Sequence, residues 1–201
     1  MSSPLVLLYA DESCLGNQFR ERARPGGFGG VAELFHARKG WLRRDFWGSE
    51  PDTTNNRMAI RGALAALRHL SEGSRIVFTS DSRYLVDGMI SWVHAWAQRG
   101  WTRKGGVIEN LEQWRELVRT AGRHQIEWRW VKGHALHPQN EYANELAVRA
   151  AKEQSASGGL IASGFEAWIA AEQEKKGRYL DFFPTPPEES SFSPSSLPPT
   201  D

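Results

Sequence analysis

Two aspartates follow strand-like runs in the sequence, and their placement suggests a shared site. Asp11 follows the apolar stretch Leu5–Ala10, and Asp81 follows Arg75–Ser80. Both runs are short and without helical spacing, which is typical of strands. In an open α/β sheet, ligands bind beyond the carboxyl ends of the strands. If the two strands are neighbours, the carboxylates converge on one ligand site. Taken singly, each aspartate is better explained as the cap of a turn or helix.

The elements that would position these aspartates alternate between strand and helix signals. Three further strands are predicted over 31–35, 41–47 and 125–131. Helical signals cover 60–70, 84–98, 108–121 and 140–153. Three early strands in a meander, followed by alternating helices and strands, predict a five-stranded mixed α/β sheet with helices on both faces.

The composition is that of a soluble globular chain, with 40% hydrophobic and 24% charged residues. The first apolar run is far shorter than the ~20 residues of a membrane span and lacks a basic leader, so we expect a cytoplasmic protein without membrane contact. One cysteine, Cys14, excludes an intrachain disulfide and a multi-cysteine zinc site. The net charge of +1 is unevenly distributed: residues 92–132 carry +4, which is typical of a surface that binds a polyanion.

The chain divides by composition into three parts. Residues 1–153 hold every strand and helix named above. Residues 154–176 are a linker followed by a short amphipathic helix, and residues 177–201 are an acidic Pro/Ser-rich tail with too few apolar residues to fold alone. We therefore predict one domain with a C-terminal extension that ends in a disordered tail.

Several short motifs follow one another in order, and together they are more specific than either aspartate. They are Tyr9–Asn17, Pro25–Gly29, Thr53–Met58, Thr79–Tyr84, Trp128–Pro138 and Asn140–Ala147. This order and spacing resemble type 1 ribonuclease H, the bacterial form, over roughly residues 4–153. The resemblance implies a ribonuclease H-like fold and cleavage of the RNA strand of RNA–DNA hybrids. It also implies Mg²⁺ or Mn²⁺ as cofactor and products with a 3′-hydroxyl and a 5′-phosphate.

The resemblance exposes a difference in the metal-binding carboxylates. The family uses four, and Asp11 and Asp81 match the first and the third. Ala59 stands at the position of the helix glutamate, and Asn144 stands at that of the last aspartate. Half of the negative charge is lost, so we expect a weakened two-metal site and an impaired or inactive enzyme. Deliberate substitution and natural divergence explain Ala59 and Asn144 equally well.

Three nearby glutamates are candidates to replace the lost charge. Glu12 adjoins Asp11, but neighbouring strand residues point to opposite faces, so we expect it to face away unless the strand has ended. Glu145 lies ~100° around the predicted helix from Asn144. Glu141 is three residues before Asn144 on the same helix face, which makes it the best-placed additional metal ligand.

The other expected site residues serve proton transfer and nucleic-acid binding. His134 matches a family histidine that assists proton transfer or product release. The residues that resemble hybrid contacts are Cys14, Asn17, Thr54, Asn55, Asn56, Arg57, Arg83, Trp92, Arg99, Arg103 and Lys104. Contacts to 2′-hydroxyl groups in the minor groove would distinguish RNA from DNA. The tryptophans assigned to the core are Trp96, Trp101, Trp114, Trp128 and Trp130.

Three functional interpretations follow from these residues. The first is a hybrid endoribonuclease that uses Asp11 and Asp81, and the second is a hybrid-binding pseudoenzyme that does not cleave. The third is a replication-associated adaptor, because Tyr179–Phe183 resembles the short motif by which bacterial replication proteins bind the sliding clamp. We expect a monomer.

Overall fold

The computed structural model describes residues 4–16, 24–133 and 137–199, so the predictions for Asn17 and His134 lie outside the described residues. The strands are β1 Leu5–Cys14, β2 Gly26–His36, β3 Gly40–Glu50, β4 Arg75–Ser80, β5 Gln125–Trp130 and β6 Ile161–Ala162. The helices are α1 Asn55–Arg68, α2 Arg83–Asp87, α3 Val93–Ala97, α4 Leu111–Ala121, α5 Pro138–Glu153 and α6 Phe165–Lys176.

The strands form one mixed sheet in the order β5-β4-β1-β2-β3-β6. β1, β4 and β5 are parallel, whereas β1, β2 and β3 form an antiparallel meander. The predicted mixed sheet with helices is confirmed, but it has six strands instead of five. The sixth strand, β6, is only two residues long and pairs with Arg44 and Asp45 of β3. A segment this short has no periodicity that sequence reasoning can detect.

Glycines on β2 let α5 approach the sheet closely. Gly29 pairs with Asp11 on β1, and a Cβ atom at Gly29 would lie 2.6 Å from the amide nitrogen of Ala147 on α5. Gly27 is in the same situation, because its Cβ would lie 2.7 Å from the Ala151 nitrogen. The helix backbone therefore lies directly on the strand beside Asp11.

The helix predicted over 84–98 is divided in the structure. A π-helical turn, Gly88–Trp92, separates α2 from α3. Trp114 on α4 is fully buried, and its indole occupies the space that a side chain at position 88 would need. Tyr84 receives a hydrogen bond from Trp114 Nε1 at 3.0 Å, which joins the two sides of this aromatic cluster.

Several residues of the segment 177–199, for which the sequence predicts a disordered tail, contact the domain. The Ser195 amide donates to the Ile126 carbonyl at 2.8 Å, and the Ser193 amide donates to Glu127 Oε2 at 2.9 Å. Leu197 packs against the core. β5 is an edge strand with open backbone groups, and pairing with them requires no apolar composition. The division into domain, linker and tail stays a prediction.

None of the helices within the described ranges is both long and apolar enough to cross a membrane.

Candidate active site

Asp11 and Asp81 lie at the same end of two adjacent parallel strands. β1 and β4 pair in register through Tyr9 and Thr79, so each aspartate stands two residues beyond that pair. Asp11 is buried, with 8% of its surface exposed. Burial, together with the negative charge of Asp81, raises the pKa of Asp11 to about 8. The structure therefore brings the two carboxylates together, as the sequence predicts.

Glu12 leaves the opposite face of β1 from Asp11, as strand alternation predicts, but its carboxylate still interacts with Asp11 and Asp81. Burial raises the pKa of Glu12 well above its usual range, and the charges of Asp11 and Asp81 raise it further. A hydrogen bond with the Ser82 side chain acts in the opposite direction. β1 continues past Glu12, but β4 ends at Ser80. In the continued register Glu12 is level with Ser82, so its side chain reaches Ser82 beyond the end of β4.

The two altered family positions lie on helices beside the strands. Ala59 is buried on α1 and presents only a methyl group. Asn144 is half-buried on α5 and lines a cleft of about 240 Å³ between α5 and α6. Of the two glutamates considered as replacements on α5, Glu145 accepts a hydrogen bond from Trp168 Nε1 at 2.6 Å. The other, Glu141, lies 3.9 Å from Arg178.

Asn140 is a site residue that the sequence analysis misses. Its Nδ2 donates to Asp11 Oδ2 at 3.2 Å, while Asp11 Oδ1 accepts from the amide of Glu12 at 2.6 Å. Asn140 is 3% exposed, and its Oδ1 has no hydrogen-bond partner in the part of the chain that the structure describes. Its spacing of one helical turn before Asn144 is the signal that would have identified it.

Trp130, at the end of β5, supports the segment that carries Asp81. Its Nε1 donates to the Asp81 carbonyl at 2.9 Å. The guanidinium of Arg83 lies over its ring, 3.8 Å from the centroid, and pairs weakly with Asp87 at 3.9 Å. Trp130 is 38% exposed, so its assignment to the core is wrong. Asp81 Oδ2 occupies the place that a side chain at Gly133 would need.

Most of the expected hybrid contacts lie at the start of α1, in the π-helical turn and on the loop after α3. Thr54 caps α1 by accepting a hydrogen bond from the Arg57 amide at 3.2 Å, and Arg57 Nε pairs with Glu50 at 2.8 Å. Trp92 is 36% exposed in the π-helical turn, edge-on to Tyr84. Cys14 and Asn56 are half-buried. The exposed residues at the start of α1 and on the loop after α3 are Thr54, Asn55, Arg99, Arg103 and Lys104.

The donor set at this site fits a divalent cation. Asp11, Glu12 and Asp81 supply oxygen ligands of the kind that Mg²⁺ prefers. The negative charges of these three carboxylates repel one another, as the raised pKa values of Asp11 and Glu12 indicate. The buried Oδ1 of Asn140 adds an acceptor that has no hydrogen-bond partner among the described residues. Over residues 4–16, 24–133 and 137–199, no group of three or more histidine, cysteine or acidic side chains is arranged to hold a metal ion.

Comparisons with known proteins show which family the chain resembles. The RNase H family model matches residues 3–152. Ribonuclease H of Alcanivorax borkumensis is 40% identical over 149 residues, which are 74% of this chain and 92% of that protein. Ribonuclease H of Acidithiobacillus ferrooxidans is 39% identical over 176 residues, or 84% of this chain and 100% of that protein.

A solved structure is similar over the whole chain. It is LC9-RNase H1, described as a type 1 RNase H with the type 2 active-site motif. It is 51% identical, has a TM-score of 0.89, and covers 100% of this chain and 96% of its own. The similarity therefore extends through the C-terminal segment that the family model leaves out.

Proposed function

Because the chain belongs to the ribonuclease H family, we propose that it cleaves the RNA strand of RNA–DNA hybrids with the help of divalent cations. We further propose that Glu12 provides the carboxylate that Ala59 lacks. The single observation that carries this proposal is the position of Glu12 at the carboxyl end of β1 and β4, in register with Ser82 and next to Asp11 and Asp81. Three carboxylates restore part of the charge whose loss predicts an impaired enzyme.

The relative described as a type 1 RNase H with the type 2 active-site motif supports this interpretation. At 51% identity, it shows that a protein close to this chain is already distinguished by its active-site motif. Natural divergence therefore accounts for Ala59 and Asn144 better than deliberate substitution does.

The residues of the site divide the work between holding metal and fixing geometry. Asp11, Glu12 and Asp81 would hold the cations, with Asn144 as an uncharged oxygen donor from α5. Bound divalent cations supply an activated water and offset the charge that develops on the phosphate. Asn140 orients Asp11 through its Nδ2, and Ser82 orients Glu12. A ligand held by a second hydrogen-bonded residue loses less freedom when the metal binds.

The surface around the carboxylates suits a nucleic-acid duplex. Arg83 lies flat on Trp130 next to the Asp81 segment, with its nitrogen atoms at the surface. An exposed basic tip follows α3 in the sequence and consists of Arg99, Arg103 and Lys104. Each cation that contacts a phosphate makes binding more dependent on salt. Hydroxyl contacts in the minor groove would select the RNA strand.

The experiment is a cleavage assay on a labelled RNA–DNA hybrid, with Mg²⁺ or Mn²⁺, alongside RNA and DNA duplexes of the same sequence. We expect cleavage of the hybrid RNA only, with 5′-phosphate and 3′-hydroxyl ends. An Ala59→Glu, Asn144→Asp variant serves as the comparison. Tight hybrid binding without cleavage, with activity only in that variant, would instead support a non-cleaving pseudoenzyme.

A second proposal concerns the segment Tyr179–Phe183 and a sliding clamp. Phe182 packs edge-on against Phe165, whereas Leu180 and Phe183 are 63% and 80% exposed. Two large apolar side chains on one short segment favour docking onto another protein. We expect Leu180→Ala, Phe183→Ala to abolish capture by an immobilised bacterial sliding clamp. Unchanged capture, or none by the parent chain, would remove this proposal without affecting the first.

A further inference from the structure

The C-terminal extension is joined to the domain by buried polar groups, although it lies beyond the residues matched by the family model. Asp45 on β3 accepts hydrogen bonds from Tyr142 Oη and Ser163 Oγ, each at 2.6 Å, and from the Gly164 amide at 3.0 Å. Phe165 is buried against the ring of Tyr142. These contacts tie α5 to the start of α6, so α6 is a fixed neighbour of the helix that carries Asn140 and Asn144.

From this position the extension engages both glutamates that flank Asn144. Trp168 on α6 donates to Glu145, and Arg178, just after α6, pairs with Glu141. Arg178 also lines the cleft whose wall includes Asn144. Glu141 and Glu145, which the sequence offers as replacement carboxylates on α5, are thus both held by a segment outside the residues that the family model matches.

Arg178 is held from its other side as well. Its Nη1 contacts Glu172 Oε2 at 3.1 Å, and its Nη2 donates to Tyr179 Oη at 2.7 Å. Glu172 is only 5% exposed and also binds Lys176. The guanidinium therefore has a defined place from which it meets Glu141.

Glu141 in turn acts on the carboxylate cluster. Its negative charge is one of those that raise the pKa of Asp11. A cation paired with Glu141 therefore weakens the negative field at the site where metal would bind.

We propose that Arg178 is a positioning residue for the metal site, which holds Glu141 on the α6 side and offsets its charge. The inference rests on the proposed metal-dependent function. Removing the Arg178 charge takes one cation away from Glu141 and from the cleft that Asn144 lines, so a divalent cation should bind more tightly. The extension thereby sets the metal affinity of a site that has lost two of its family carboxylates.

The test compares four forms of the full chain: the parent, Arg178→Gln, Glu141→Gln and the double variant. Two quantities are measured: the Mg²⁺ concentration for half-maximal hybrid cleavage, and the Mg²⁺ dissociation constant without substrate by calorimetry. We expect Arg178→Gln to lower both by about 3- to 10-fold, and Glu141→Gln to raise both. In the Glu141→Gln background Arg178 has no carboxylate at position 141 to hold, so the Arg178 substitution should change both quantities by a smaller factor than it does in the parent.

A matched control is Arg123→Gln, which removes the same charge from an exposed pair with Glu72. That pair lies near the start of β4, about 20 Å along the sheet from the carboxyl end of the strand. Salt screens the Arg123 charge over this distance. The inference is overturned if Arg178→Gln matches Arg123→Gln, or if its effect is equally large without Glu141. If the parent chain neither cleaves nor binds Mg²⁺, the proposed function has failed instead.

Discussion

Glu12 hydrogen-bonds to the side chain of Ser82, the residue that follows Asp81 beyond the end of β4. The alternation of side chains along β1 directs Asp11 toward α5, where Asn140 binds it. Glu12 leaves the other face of the same strand and still joins the cluster, because β4 has ended. Adjacent strand residues thus serve one site from opposite faces of the sheet.

Assembling three carboxylates should cost stability in the absence of metal. The pKa of Asp11 is raised to about 8, so its ionised form is less favourable in the folded than in the unfolded chain. Stability is therefore expected to fall as the pH rises from about 4 toward 8. Asp11→Asn removes this penalty and should be about 1–3 kcal/mol more stable than the parent at pH 8. The difference should shrink toward pH 5, as measured by urea unfolding in EDTA.

An equal stability difference at pH 5 and pH 8 would contradict this account of Asp11. Asp52→Asn is a suitable control, because Asp52 is exposed and bonds only weakly to the Arg24 amide at 3.2 Å. We expect no pH-dependent gain in stability from that substitution.

Asn140 should matter for turnover more than for folding. Its only described hydrogen bond is to Asp11, so Asn140→Ala leaves that carboxylate without its orienting donor. We expect kcat for hybrid cleavage to fall by about 10- to 100-fold. Gln139→Ala is the matched control, since the neighbouring Gln139 side chain contacts Glu33 at 3.3 Å instead. Equal loss of kcat in both variants would show that Asn140 has no special role.

The stack of Arg83 on Trp130 should contribute to hybrid binding. Trp130→Phe keeps an aromatic surface, whereas Trp130→Leu removes it; both lose the hydrogen bond to Asp81. We expect Trp130→Leu to weaken hybrid binding by about 2- to 5-fold, and Trp130→Phe to weaken it less. Binding is measured by fluorescence anisotropy in EDTA. The difference between the two variants should vanish in an Arg83→Gln background, and its persistence there would contradict the stacking role.

The attachment of α6 depends on a buried ion pair. Arg43 binds Glu33 at 2.5 Å, and their side chains are 6% and 1% exposed. Arg43 also contacts Glu166 on α6, which links the sheet to the extension. Arg43→Met leaves Glu33 buried without its cation, so we expect a loss of about 3–5 kcal/mol in the free energy of unfolding. Arg43→Met, Glu33→Gln should recover part of it; a single-variant loss under about 1 kcal/mol would contradict this.

The sequence predicts the elements that carry strong periodicity, and it predicts that Asp11 and Asp81 share one edge of the sheet. It does not predict Glu12, because strand alternation alone cannot show where the neighbouring strand stops. The spacing of Asn140 one helical turn before Asn144 places it on the site face of α5, but the sequence does not show that its amide reaches Asp11. The sequence does not show the contacts of Arg178 either, since they join segments that only the folded chain brings together.

The most direct test of the central claim is to move the carboxylate from β1 to α1. Hybrid cleavage in Mg²⁺ is measured for the parent, for Glu12→Gln and for Glu12→Gln, Ala59→Glu. Glu72→Gln, an exposed glutamate near the start of β4, is the control. We expect Glu12→Gln to lose at least about 100-fold in kcat, the second substitution to recover part of it, and the control to match the parent. Full activity in Glu12→Gln would contradict the assignment of Glu12 to the metal site.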